Sequence, residues 1–248
     1  MNLVLNHLIK IFLKMKKTCV IMQPTYLPWI GYFDLIKQAD VFVFLSDVQF
    51  SKQGWQVKNK IKNKESEITL TIPVKRAPLN TLINQTKIDM SKRWKKTHLK
   101  SIYYSYIKSK FFSEVYPFIE NLYSYDTNSL SEFNIHIIKS IVQQLHINTK
   151  IVDSTSLIID SKDKLDRIIK ICSRFNANSY LSTPGSLEYL EKMNYKEKFK
   201  SEKINFITHQ YNHPIYKQVY EPFTSNLSIL DLLFNVGFKK SKYLTSSS

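Results

Sequence analysis

The period of the hydrophobic positions changes several times along this chain, and each change marks an element. Thr18–Gln23 (TCVIMQ) and Val41–Leu45 (VFVFL) are short, unbroken apolar runs, as expected of strands buried on both faces. Between them lie a loop with Pro24 and Pro28 and a segment, Ile30–Ala39, with helical spacing. Strand, loop, helix and strand within about 30 residues make a βαβ unit, which requires a parallel pair and a right-handed crossover. Ser51–Lys64 is polar and basic and reads as an exposed loop. Its Lys58, Lys60, Lys62 and Lys64 alternate, as a solvated edge or a phosphate cradle would. Glu67–Val74 alternates and predicts a strand.

Lys92–Phe112, Glu114–Tyr123 and Asn128–Leu145 then carry apolar residues at helical spacing, among them Leu130, Phe133, Ile137, Ile141 and Leu145. Asp126–Ser131 supplies N-cap residues for the last of these. Extended segments are expected at Lys150–Val152, Ser156–Ile159, Ser179–Thr183 and Asn205–Gln210. Helices are expected at Asp163–Phe175, Leu187–Met193 and Leu227–Val236, the last stopped by Gly237.

This layout predicts an α/β fold with a mostly parallel, Rossmann-like sheet and a helical insertion at about residues 90–147. One domain is expected over residues 15–240, with Met15 as the native start and residues 1–14 a non-native or dispensable extension. That stretch is shorter than the about 20 residues of a membrane span and lacks a signal peptide's charged start and cleavage site. The tail from Lys239, and residues 241–248 above all, is expected to fray.

Composition narrows the function. The chain has 248 residues, 43% of them hydrophobic, enough for a packed core and too apolar for disorder. Two cysteines, Cys19 and Cys172, exclude a disulfide framework and a cysteine-rich zinc site, and fit the cytoplasm. Four glycines and no Walker or Gly-x-Gly-x-x-Gly motif exclude most glycine-rich phosphate loops. Neither His98 nor His213 has a metal-ligand spacing, so no metal is expected. The net charge is +16, from 36 basic and 20 acidic residues. A lysine-rich solvated surface of the kind an AT-rich genome encodes explains this, and so does a polyanionic partner such as a nucleotide or tRNA. Only Arg76, Arg93, Arg167 and Arg174 are arginines, which argues against sequence-specific DNA reading by bidentate contacts.

The chemistry-bearing residues concentrate at predicted strand ends, where open parallel sheets bind ligands. Gln23, Tyr26, Trp29, Gly31 and Tyr32 follow the first strand, and the opening turn of the first helix could hold an anion. Asp47 and Gln49 follow the second, then Trp55, Lys58 and Asn59; Asp47 is a candidate base. The alternative for Asp47 is a turn cap, and for the aromatics, cover for the sheet edge. His98, Ser182 and His213 complete the candidate set.

The run Gln23-Pro24-Thr25-Tyr26-Leu27-Pro28-Trp29-Ile30-Gly31-Tyr32-Phe33, followed by Ala39-Asp40-Val41-Phe42-Val43 and Asp47-Val48-Gln49-Phe50, resembles the WbqC-like protein family. The likeness continues through Trp94, His98, Tyr180-Leu181-Ser182, Tyr189-Leu190, His213-Pro214, Tyr216 and Leu227–Asn235. The chain departs from the family pattern at Ser46, where an acidic residue is common, and at Val57-Lys58-Asn59, where Asn-Arg-Asn is common. The resemblance implies a place in O-antigen or related surface-polysaccharide biosynthesis, and transfer of a glycyl or similar acyl group onto a nucleotide-linked amino sugar. The resemblance carries over no catalytic residue; on the residues themselves Asp47 or His98 is the candidate base for such a transfer, and ATP or an aminoacyl-tRNA would supply the activated donor.

The layout around Trp29-Ile30-Gly31-Tyr32 is also similar to the His-x-Gly-His site of nucleotidylyltransferases, with both histidines replaced. A degenerate nucleotidylyltransferase, or a non-catalytic accessory protein binding a nucleotide sugar or polyanion, are the other readings.

Overall fold

The computed structural model describes residues 16–244. The N-terminal extension expected from the sequence and the last four residues lie outside this range. Strand β1 (Thr18–Met22), helix α1 (Ile30–Gln38) and strand β2 (Val41–Phe44) form the expected βαβ unit, with β1 and β2 parallel from Cys19–Val41 to Met22–Phe44. A hairpin follows, β3 (Lys58–Lys62) and β4 (Glu67–Thr71), and then helices α2 (Trp94–Tyr106), α3 (Phe112–Ser124) and α4 (Leu130–Gln144). Strand β5 (Lys150–Asp153), helix α5 (Lys164–Arg174) and strand β6 (Ser179–Ser182) return the chain to the sheet. Helices α6 (Leu187–Glu191) and α7 (Tyr195–Ser201), strand β7 (Asn205–Thr208), and helices α8 (Ile229–Val236) and α9 (Phe238–Leu244) complete it.

The main sheet has the order β5-β2-β1-β6-β7, and all of its pairings are parallel. The chain moves outward from β1 through β2 to β5, then crosses β1 to lay down β6 and β7. The order therefore reverses between β1 and β6, and the carboxyl ends of the strands there are where such sheets bind ligands. Right-handed crossovers send the two directions to opposite faces, and strand alternation divides the core accordingly. Val20, Phe42 and Phe44 pack with α1, the insertion helices and α8. Cys19, Ile21, Val41 and Val43 face α5, α6 and α7. Leu130, Phe133, Ile137, Ile141 and Leu145 are all buried, as their spacing predicts, and Ser129 caps α4 by accepting from Glu132 N.

Two expectations need correction. The presumed loop Ser51–Lys64 contains β3, in which Asn59 and Lys62, on opposite faces, are both buried. Polar side chains at buried positions hid the strand from a hydrophobic pattern. No strand forms at Ser156–Ile159, where the chain makes a 3-10 turn over Ser154–Ser156 and leaves the sheet. Residues Lys239–Leu244 lie in α9, where Phe238 and Ser241 are buried. Helix α7 was not expected at all, because only Tyr195 and Phe199, one turn apart, mark its buried face.

Candidate functional site

A cavity of about 600 Å³ opens beside the carboxyl ends of β1 and β2. Its floor and walls are apolar where Leu45, Val48, Phe50, Ile168 and Ile171 meet, and polar groups enter from several elements. Gln23 comes from the end of β1, Gln49 and Lys52 from the loop after β2, and Lys164 and Arg167 from the first turns of α5. Such a mixture of apolar walls and a few placed polar groups is the usual character of a small-molecule site.

Arg167 is fixed by a salt bridge to Asp47. Asp47 also accepts from the Ser154 hydroxyl, so β2, β5 and α5 are joined by one side-chain chain. Ser154 Oγ in turn accepts from Ser46 N at 3.1 Å, and the Ser46 hydroxyl donates to Asp153 at 3.0 Å. Arg167 Nε is buried and has no hydrogen-bond partner, leaving one donor of the guanidinium unused beside the cavity. Gln23 is held from both ends. Its Oε1 accepts from Gln56 Nε2, and its backbone oxygen accepts from the Tyr32 hydroxyl at 2.9 Å. Gln49 Nε2 donates to Leu79 O at 2.7 Å, closing the outer rim.

Other expected site residues fall into separate groups. Tyr26 is buried; its hydroxyl meets His98 Nδ1 at 2.8 Å and contacts the Tyr123 hydroxyl. His98 Nε2 meets Thr71 O at 3.2 Å, so both ring nitrogens are engaged in the interior. Burial pushes the His98 pKa down to about 4, which keeps the ring neutral. The buried imidazole, with both nitrogens engaged, ties α2 to the loop after β1 and to the end of β4, away from the cavity lining. Asn59 supports the same loop by donating to Tyr26 O at 3.1 Å and Leu27 O at 2.8 Å, which suits the left-handed φ of 42° at Leu27.

Trp29 and His213 form part of an aromatic group at the other side of the switch point. The Trp29 ring meets Tyr211 edge-on at 5.2 Å and lies parallel to His213 at 6.5 Å, and His213 also stacks on Tyr216. His213 Nδ1 donates to Pro214 O at 2.9 Å, and burial lowers its pKa. Gly31 allows the Trp29 ring to lie on the first turn of α1, since a Cβ there would come within 2.5–2.8 Å of ring carbons. Ser182, at the end of β6, is buried with its hydroxyl unpaired, and its backbone oxygen accepts from His209 N at 2.7 Å. Trp55 is 55% exposed, and Lys58 Nζ reaches only Gln53, at 3.5 Å. The structure thus brings Gln23 and Gln49 together at the cavity with Asp47 behind Arg167, while Tyr26, Trp29, Tyr32, His98 and Asn59 shape the surrounding loops.

Several residues were not anticipated. Arg167 carried one signal, as a rare arginine in a lysine-rich chain. Asp34 and His209 meet at 2.5 Å, both buried, and tie the second turn of α1 to the end of β7. Asp231 on α8 accepts from Tyr216 at 2.8 Å, Gln218 at 2.7 Å and Tyr106 at 3.2 Å. Burial raises the Asp231 pKa against the pull of these donors. These pairs join residues far apart in sequence and have no local signature. Among the described residues no group of three His, Cys, Asp or Glu is arranged to hold a metal, and no helix is long and apolar enough to cross a membrane.

The parallel order, with a cavity at its carboxyl edge, defines a Rossmann-like α/β protein. The family model for the WbqC-like protein family matches residues 23–243, and the chain belongs to that family. It is also similar to an uncharacterized protein of Mycobacterium tuberculosis, Rv1507c, with 30% identity over 232 residues, covering 93% of this chain and 98% of that one. No solved structure matches the chain.

Proposed function

We propose that this protein is a cytoplasmic transferase of surface-polysaccharide biosynthesis that joins a glycyl or similar acyl group to a nucleotide-linked amino sugar. The observation that carries the reading is the cavity at the β1 and β2 ends, where Arg167, with an unused buried donor, stands beside Lys52, Lys164 and two amides. Cations at a strand-end crevice suit a diphosphate, and Arg suits it best because its planar donors bind phosphate oxygens in pairs. Gln23 and Gln49 offer both donors and acceptors for sugar hydroxyls or a base edge.

In this reading the sugar amine attacks the carbonyl carbon of the donor, an ester or acyl phosphate such as an aminoacyl-tRNA or an ATP-derived adenylate. The C–N bond forms, the bond to the donor's leaving oxygen breaks, and the amine proton passes to the Asp47 carboxylate and then to solvent. Asp47 stands behind Arg167, with 23% of its side chain exposed. Its two oxygens already accept from Ser154 and Arg167, which favours a second reading: an accessory protein that binds the nucleotide sugar without turnover.

The test is mass spectrometry of reactions containing the purified chain, nucleotide-linked amino sugars, glycine, ATP and magnesium, with and without glycyl-tRNA. A sugar product heavier by one glycyl residue is expected. Asp47→Asn should slow its formation by about 10²–10⁴-fold, the usual worth of a positioned base. Thermal protection by the nucleotide sugar with no product would move the assignment to the accessory reading. Neither product nor protection would overturn both.

A further inference from the structure

The cationic charge is unevenly placed. Between Asp89 and Glu114 the chain carries Lys92, Arg93, Lys95, Lys96, Lys100, Lys108 and Lys110 and no acidic residue. A second acid-free run, Lys52 to Lys64, precedes Glu65, whereas on α5 Lys170 pairs with Asp166 at 2.9 Å. No cation of the 92–110 segment makes an ion pair among the described residues. Helices α3, α4, α5 and α8 each have a carboxylate in the first turn, whereas α2 begins with Lys95 and Lys96. Cations at that end oppose the helix dipole. Helix stability therefore does not explain them.

Two hollows lie along this surface. One, of about 360 Å³, is bordered by Lys64, Lys100, Tyr104, Tyr220 and one carboxylate, Glu65. The other, of about 630 Å³, is bordered by Lys108, Lys110, Lys217 and the same Tyr220, so the two adjoin. Neither shares a lining residue with the cavity at the strand ends. Tyr104 is 63% exposed, and Lys96, Lys100 and Tyr104 succeed one another at one-turn intervals along α2. Ser105 borders the first hollow, and its hydroxyl is buried without a partner.

We propose that this groove binds single-stranded nucleic acid. A lysine-lined channel follows a phosphate backbone, an exposed ring stacks on an unpaired base, and an unsatisfied hydroxyl accepts or donates to the sugar–phosphate chain. A single strand can enter a concave track that a flat lipid surface cannot follow. Binding is read without turnover, so the groove and the transfer reaction stand or fall separately.

The experiment is fluorescence anisotropy with the full chain and a labelled 12-nucleotide RNA, the DNA of the same sequence, heparin, and anionic phosphatidylglycerol vesicles, at about 100 mM salt and above. Expected is saturable binding to a single strand, with log affinity falling against log salt by about 0.7 per phosphate neutralised. The RNA and DNA arms identify which strand is preferred, through the 2′-hydroxyl. The triple variant Lys96→Glu, Lys100→Glu, Lys108→Glu should bind at least tenfold more weakly. Lys198→Glu with Lys200→Glu, on α7, should stay within about twofold of the parent, since screening removes contributions from beyond a Debye length. Tyr104→Ala should lose about five- to tenfold towards the strand, the low end of base stacking, and nothing towards heparin. Circular dichroism confirms that each variant is folded. The proposal is overturned by no binding to either strand, by equal loss in the α7 variant, by an equal effect of Tyr104→Ala on heparin, or by preference for the vesicles.

Discussion

At the scale of single residues, the loop between β1 and α1 shows how one missing methyl sets a site. Gly31 sits in the first turn of α1, and a Cβ there would fall 2.5 Å from Trp29 Cζ2 and 2.8 Å from Cζ3. The absence of that atom lets the indole lie along the helix and meet Tyr211 and His213. Gly31→Ala should therefore destabilise the protein by about 1–3 kcal/mol, the usual cost of overpacking. On a Trp29→Ala background the same change should be neutral or stabilising by up to about 1 kcal/mol, because alanine is the better helix former. Denaturant midpoints for the double-mutant cycle decide it, and additive effects would dissociate Gly31 from the indole. The segment's composition marked this loop as a candidate site; the contact between its own Trp and Gly was not legible there.

At the scale of elements, α8 links the two halves of the α1-side layer. Its Ile229, Leu230, Leu232, Leu233 and Phe234 are fully buried, and Phe234 lies parallel to Tyr106 of α2 at 4.5 Å. Gly237 ends it with a φ of 78°, and a Cβ there would come within 2.6–2.7 Å of the Phe111 ring. Strain and clash act together, so Gly237→Ala should cost more than about 1 kcal/mol, read as a lowered Tm. A Tm within error of the parent would show that α8 and α9 can part at low cost. The stop signal at Gly237 was visible in the chain because a helix-ending glycine follows a regular apolar repeat. The hairpin's first strand was not, because Lys62 turns inward to Gln218 Oε1 at 3.2 Å and Tyr220 O at 2.6 Å. Buried lysine paired with distant carbonyls looks, along the sequence, like solvated lysine.

For the whole molecule, buried titratable groups couple stability to pH. His98 has its pKa lowered to about 4 by burial, against an ordinary 6.5. Between those values the unfolded chain binds the proton and the folded one does not, so stability from this group is full above about pH 6.5 and falls as pH drops towards 4. The swing is about 3 kcal/mol. His136 and His213 are also lowered by burial and act in the same direction. Asp231, raised by burial, acts in the opposite one. The difference between the parent and His98→Gln isolates His98. Urea unfolding at a series of pH values should show the parent losing more stability than the variant below pH 6.5; parallel curves would mean His98 is accessible to protons in the folded state.

The sequence by itself determined the α/β class, the parallel βαβ opening, the strand and helix order around it, and the family. These follow from local periodicity and from a run of residues contiguous in the chain, which need no knowledge of what packs on what. Tertiary structure alone decided which polar groups meet. Asp47 lies 120 residues from Arg167 and 107 from Ser154, and Asp34 lies 175 from His209. It also decided that His98 is interior and that Asn59 and Lys62 belong to a strand. A polar side chain's environment is set by partners brought from elsewhere by the fold, and periodicity records only whether a position faces in or out when that position is apolar.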